Sequence, residues 1–389
     1  MNRCGASLPA AAAAALLALT LLSGAAAGRE KGKKMETIEQ LKAAMGQLND
    51  GVFAARDDAS VEPWEEHALS LGFNGLLLAA PKRVDLDAGT PLNALVLSAD
   101  RVARQKALPW RANAVIVATD LDSGRVFAAD AFVVDPGKSP PDGKAAAPPL
   151  PPLPAPLSAD ARNRPGGGGP RSAGTVWIDV LPRLALPPGA QRLALHVLHF
   201  DQASNAALTT LVRGGGAAPA GMAALTAQQL VDRIRGAGTA PHGLPKFYKV
   251  AETPALNAAG AAFTLTRHEA VAGEAPLPMH GAMRLPATTQ TLVRPAPEGS
   301  PPVPTPGPVA AVLRCMVLVV AANQNRPWQI PLDIPIWSDK PLAPGDMIEA
   351  AFSVDLAATL PKAAGTYQVY LVAGQHLIGP RALTLTSPR

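Results

Sequence analysis

The sequence predicts a mostly β protein: two tandem β-sandwich domains behind a short N-terminal helix. Three observations predict it. From Gly75 onward the apolar residues recur with period two and are rich in β-branched types, the signature of half-buried strands. The chain carries 41 Pro and 34 Gly, which suits short strands and many turns better than long helices. The same order of strand-length runs occurs twice, about one domain length apart.

The N-terminus comes first. Arg3 gives a positive start, Leu8 to Leu22 is apolar and uncharged, and Ala25 and Ala27 form an A-x-A site. That order predicts a signal peptide over residues 1–27, and hence a periplasmic or secreted protein. Cys4 stands at the wrong end for a lipid anchor. No other stretch has the length of a membrane span; the densest, Cys315 to Ala322, has strand length. After cleavage Cys315 is the one remaining cysteine, so no internal disulfide can form. Its place between Leu313 and Val317 predicts a buried structural thiol.

A 28–69 segment follows. Thr37 and Gln40 make a capping box, and Ile38, Leu41, Met45, Leu48 and Val52 form an apolar stripe. The spacing predicts one helix lying on the first domain or, read as a heptad-type stripe, pairing with another chain; Gly46 and Gly51 weaken either version.

The first β domain, 70–214, has strands expected at Leu76–Ala79, Leu92–Ser98, Ala114–Thr119, Val126–Val134, Thr175–Leu181, Arg192–Phe200 and Ala207–Val212. Asp122-Ser123-Gly124 supplies hairpin chemistry between the third and fourth. Pro136 to Ala173 is Pro- and Gly-rich without an apolar period and predicts a disordered insertion, 136–173. A linker, 215–245, contains a short helix capped by Thr226 and Gln229, stapled by Leu225 and Leu230, and stopped at Gly236.

The second domain, 246–389, repeats the order. Its strands are expected at Phe263–Thr266, His280–Leu285, Met316–Ala321, Gln329–Trp337, Met347–Val354, Thr366–Val372 and Arg381–Thr386. Leu186-Pro187-Pro188-Gly189 before Leu193 and Leu195 matches Leu360 to Gly365 before Val369 and Leu371.

Gly365-Thr366-Tyr367-Gln368-Val369 resembles the strand-F segment of immunoglobulin-like modules. The resemblance implies that the Tyr367 ring packs at a corner while its hydroxyl bonds back to the main chain. The first copy departs from it, with Gln191 in place of the tyrosine, and both copies lack the Cys–Trp–Cys signature. On this resemblance the two sandwiches are expected to be immunoglobulin-like.

Candidate chemistry is sparse. His196 and His199 have odd spacing, so a strand sends them to opposite faces and they cannot chelate one ion. Met279, His280, Met283 and Cys315, with His268 nearby, are the best metal candidates, because thioether, imidazole and thiolate suit copper(I). Against them, His280 and Met283 are also oddly spaced, and Met is a common core filler. Asp120-Leu121-Asp122-Ser123-Gly124 opens like a calcium loop but lacks the later ligands, which predicts a polar hairpin. Glu65-Glu66-His67 reads as a solvated helix end, and neither it nor Asp57-Asp58 suggests a shared proton. There is no G-x-S-x-G, no H-E-x-x-H, and Gly166 to Gly169 lacks the lysine of a phosphate loop.

The formal charge is +5 with a pI near 9.3, but basic residues are scattered and aromatics are 4%, which argues against nucleic acid. These readings imply an exported, non-catalytic protein of the cell envelope. It would need no cofactor and would bind another envelope or extracellular protein or act as a spacer. One alternative is a periplasmic small-ligand or copper-binding module centred on the second domain; another is an enzyme whose site is assembled from loops.

Overall fold

The computed structural model describes residues 37–132, 170–189, 191–213, 256, 258–273, 276–293, 310–322, 327–337, 342–360 and 363–387. The expected signal peptide, the core of the Pro/Gly-rich insertion and the linker helix lie outside the described residues.

Helices come first: α1 (Ile38–Gly46), α2 (Asp50–Ala55) and α3 (Pro63–Ser70). They lead into β1 (Gly75–Ala79), β2 (Arg83–Asp85) and β3 (Asn93–Arg101). Next come α4 (Val102–Ala107), α5 (Trp110–Asn113), β4 (Ala114–Asp120) and β5 (Val126–Asp130). The first half closes with β6 (Arg171–Asp179), β7 (Gln191–His199), β8 (Gln202–Ala203) and β9 (Ala207–Val212). The second half opens with β10 (Gly260–Leu265), β11 (Glu269–Val271), β12 (Pro278–Pro286) and β13 (Leu292–Val293). It continues with β14 (Ala310–Ala321), β15 (Trp328–Trp337), β16 (Met347–Asp355), β17 (Gly365–Ala373) and β18 (His376–Thr386).

The chain is mostly β, and a strand stands where each was expected from the sequence. The two halves share one strand order. Each has a three-stranded sheet, β1-β3-β6 or β10-β12-β16. Each also has a larger sheet, ordered β2-β9-β7-β4-β5 or β11-β18-β17-β14 with β15 on β14. Even a small feature recurs: β2 runs parallel to β9, and β11 runs parallel to β18.

In each half the inner faces of the two sheets meet. The first core joins Leu76, Val96 and Ile178 to Ile116, Leu195 and Leu211. The second joins Phe263, Met283 and Phe352 to Val317, Val369 and Leu383. The alternate residues of the larger sheets face the other way. Val115, Val117, Leu198 and Phe200 meet Met316, Leu318, Val320, Tyr370 and Val372 in a third apolar cluster. The two larger sheets therefore stack face to face, and the halves share a core. Burial on both faces is why these strands read as near-continuous apolar runs, since no side of the pleat meets water.

Several boundaries differ from expectation. The expected single helix from Thr37 through Val52 is two helices. The capping box at Thr37 and Gln40 forms, and Leu41 and Met45 are buried, but α1 stops at Gly46. Asn49 then caps Gly51 and starts α2, which buries Phe53 in place of the expected stripe residue. β6 starts at Arg171, inside the expected insertion 136–173, because Ser172 and Ala173 extend the ladder with Asp100 and Ala99. β5 ends at Asp130, opposite Val115, the second residue of β4. The helices α4 and α5 were not anticipated.

The helices cover the outer face of the first small sheet. Phe53 meets Trp177 edge to face at 6.0 Å, and Asn93 donates to the Phe53 carbonyl at 2.9 Å. Glu65 was expected to be solvated. It instead accepts from the Thr175 amide at 2.7 Å and so ties α3 to β6. Among the described residues, no helix is long and apolar enough to cross a membrane.

Candidate functional site at the junction of the halves

The most polar part of the junction is built from a hairpin. At the β4–β5 turn, Asp120 accepts from the Asp122 amide at 3.0 Å and from the Ser123 hydroxyl at 2.5 Å. Gly124 has φ +73°, a left-handed conformation that glycine adopts without strain and that closes the turn. The Asp-x-Asp-Ser-Gly run is thus a polar hairpin, its carboxylates already engaged.

The hairpin is clamped onto the second half. Arg314, on the outward face of β14, donates Nη1 to the Ser123 carbonyl at 2.9 Å, and its Nε stands 3.3 Å from Asp333. The Thr288 hydroxyl donates to the Asp122 carbonyl. On the first half, Arg192 Nε donates to the Asp122 carboxylate at 2.9 Å, and this bond, then the charge of Asp122, raises its pKa. Further along, Gln329 donates to the Ala128 carbonyl at 2.9 Å.

Beside the clamp lies a cleft of about 860 Å³, lined by Asp122, Arg192, Thr288, Gln290, Arg314 and His376 among others. His376 is half-buried, and desolvation lowers its pKa. A second hollow of about 600 Å³ lies along His196, Asn205, Gln375 and His376. There His196 Nε2 donates to the Gln375 carbonyl at 3.2 Å, and burial lowers its pKa.

A second polar network closes the other end of β7. His199 Nε2 donates to the Leu108 carbonyl at 3.0 Å, and its ring stacks on Trp110 with centroids 4.6 Å apart. Its Nδ1 lies 3.5 Å from Arg104 Nη1 and acts as acceptor. Burial, then the Arg104 charge, pushes the His199 pKa down to about 4. Arg104 itself bridges Asp100, at 2.5 Å, and Asp201. This network fixes α4 against the end of the sheet.

His196 and His199 do occupy opposite faces of β7 and make separate contacts, as their spacing requires. The metal candidates also divide. Met279, Met283 and Cys315 are buried in the second core, whereas His280 lies on the outer face of β12 opposite Ser353 and Thr264. Burial of alternate residues along β12 keeps the imidazole away from the two thioethers. His268 bonds the Ala382 carbonyl at the sheet edge. Among the described residues no group of three His, Cys, Asp or Glu could hold an ion. Burial, then the charge of Asp333, pushes the Cys315 thiol up, so it stays protonated.

Sequence reading missed Arg314, Thr288, Arg104 and Tyr370. Arg314 did carry a signal: a lone arginine inside an apolar strand, 9% exposed, must find partners when buried. The others depend on contacts between distant segments. No family model matches the chain, and no curated protein matches it either.

Proposed function

We propose that this is an exported, non-catalytic binding protein of the cell envelope, made of two immunoglobulin-like sandwiches and taking another protein as its partner. The observation that carries this reading is how the junction uses its polar groups. Arg314, Thr288, Arg192 and Asp122 bond the two halves or the hairpin between them. Groups spent in this way hold a surface in place and are poorly suited to exchanging protons with a substrate. The Tyr367 hydroxyl donates to the Ala363 carbonyl at 2.9 Å, which supports the immunoglobulin-like reading of the second half. In this reading the lips of the cleft and the exposed Leu208 and Thr289 present the binding surface.

The test is photo-crosslinking in the producing cell, from a reactive residue placed at Thr289 or Leu208, after cell fractionation. The reading expects a mature N-terminus near Gly28 outside the cytoplasm and one discrete crosslinked envelope protein. An intact Met1 on cytoplasmic protein, or crosslinks indistinguishable from those of a buried control site, would overturn it.

A further inference from the structure

The two larger sheets finish one edge differently. In each half a short parallel strand covers part of that edge. Thr210 on β9 donates its amide to the Lys82 carbonyl at 2.9 Å, and Thr384 on β18 donates to the His268 carbonyl at 2.8 Å. Lys82 and His268 are therefore equivalent. So are Leu208 and Ala382, each two residues before its threonine. Residues two apart in a strand point their main-chain groups the same way, so both turn their N–H and carbonyl outward.

In the second half that position is closed, because the Ala382 carbonyl accepts from His268 Nδ1 at 3.2 Å. In the first half it is open. A longer β2 would bring the Lys82 amide to the Leu208 carbonyl, but that amide donates to Asp50 at 2.8 Å instead. The Leu208 side chain is 53% exposed, the most of any large apolar residue described. Beside the gap lies a groove of about 520 Å³ between β1 and β9. Leu78, Ala80 and Leu208 supply apolar wall, and Lys42, Lys82 and Arg192 bring three positive charges, with no carboxylate among the described lining residues. Glu39 pairs with Lys42 and Asp122 with Arg192, whereas Lys82 has no ion pair among the described residues.

We propose that the open stretch of β9 at Leu208 takes an extended segment of a partner protein as an added strand, one that alternates apolar and acidic side chains. This rests on the reading of the chain as a binding protein and specifies how it binds. The Leu208 N–H and carbonyl supply main-chain bonds, the groove takes the apolar side chains, and Lys82 with its neighbours meets the carboxylates. An open strand edge beside an exposed leucine is a liability unless it is used, and the second half closes the same position with a histidine.

The experiment selects binders from a displayed library of short random peptides on the full chain, then titrates them against wild type and two variants. Enriched peptides are expected to alternate apolar and acidic residues. Leu208→Pro removes the outward N–H without touching the ladder to β7, and is expected to weaken binding at least about tenfold. Lys82→Glu, at an exposed position, should weaken it comparably and remove its salt dependence, which keeps the test decisive should proline disturb the strand. A selection that yields no binder, or binders indifferent to either substitution, overturns the proposal. If a crosslinker at Thr289 still captures one envelope protein in the producing cell, strand addition alone has failed; if that capture is lost too, the binding reading beneath it fails.

Discussion

The Tyr370 hydroxyl donates to the Phe200 carbonyl at 2.6 Å across the junction, from a side chain with no exposed surface. Phe200 sits at φ +53°, an unusual conformation for an aromatic residue, as β7 turns into β8. The bond therefore joins the second half to a constrained turn of the first. Tyr370→Phe leaves the Phe200 carbonyl without this donor and is expected to cost about 1–2 kcal/mol. Tyr370→Ala also empties part of the shared apolar cluster and should cost about 3–5 kcal/mol. Urea unfolding read by tryptophan fluorescence measures both. The shared core predicts one transition in the wild type; separate transitions for the two halves in the wild type would contradict it.

The buried histidines set a direction for pH. His199 has its pKa lowered to about 4, and His196 is lowered as well. Around His199 stand Arg104, which lowers it, and Asp201, which raises it, with the Leu108 carbonyl holding Nε2–H. The unfolded imidazole titrates near 6.5, so between about 6.5 and 4 the unfolded chain binds more protons than the folded one. Stability is therefore fully present above pH 6.5 and falls as the pH drops toward 4, by up to about 3 kcal/mol from His199. Denaturation midpoints taken from pH 7.5 to 4.5 check this. His199→Gln should flatten the slope, and an unchanged slope would assign the pH effect elsewhere.

Gly281 stands on the inward face of β12 with the Phe352 ring directly over it. A Cβ placed there would lie 2.3 Å from the ring Cζ. Its φ is unremarkable, so the constraint is space, not conformation. Gly281→Ala must displace a ring packed in the centre of the second core, and overpacking of this kind costs about 1–3 kcal/mol. Phe352→Leu alone should destabilise by opening a cavity. In the double variant the two losses should be less than additive, because the smaller side chain makes room for the methyl. Thermal melts of the four proteins in the cycle decide it; strict additivity would show that the ring is not what Gly281 accommodates.

What the sequence made legible was the local part of the fold. Period-two alternation located the strands, and the capping box located α1, because each depends on neighbours along the chain. Tyr367 was legible too: it packs in the core with Val369 and Leu371, its hydroxyl on the Ala363 carbonyl. Gln191, which departs from that pattern, performs the same task, since its amide donates to the Pro187 carbonyl four residues back. Residue type hid that equivalence, although position in the repeat pointed to it. The face-to-face stack was not legible. A strand apolar on both faces shows that something covers it without showing what, and only contacts such as Met316 and Val372 against Val117 and Leu198 identify the cover. The clamp on the Asp122–Ser123 hairpin escaped for the same reason, since Arg314 and Thr288 reach it from far along the chain.

Cys315 gives the last prediction, because two readings of it differ in outcome. It is 3% exposed, lies in the core with Met279 and Met283, and is held protonated by burial and by Asp333. A thiol in that setting acts as a small apolar group and reacts only when the protein opens. Cys315→Ala removes one sulfur from a packed core and should cost about 1 kcal/mol. Cys315→Ser is the sharper probe: it keeps the size but buries a hydroxyl in an apolar site, at about 1–3 kcal/mol. Copper binding at Met279, Met283 and Cys315 would make the opposite pattern. It would require a thiolate, and the folded state would then gain stability with metal by mass action. Melting curves with and without copper(I) under reducing conditions separate the two. The structural role expects superimposable curves for the wild type and serine the worse of the two substitutions. A copper-dependent rise in Tm that vanishes in Cys315→Ala would refute it.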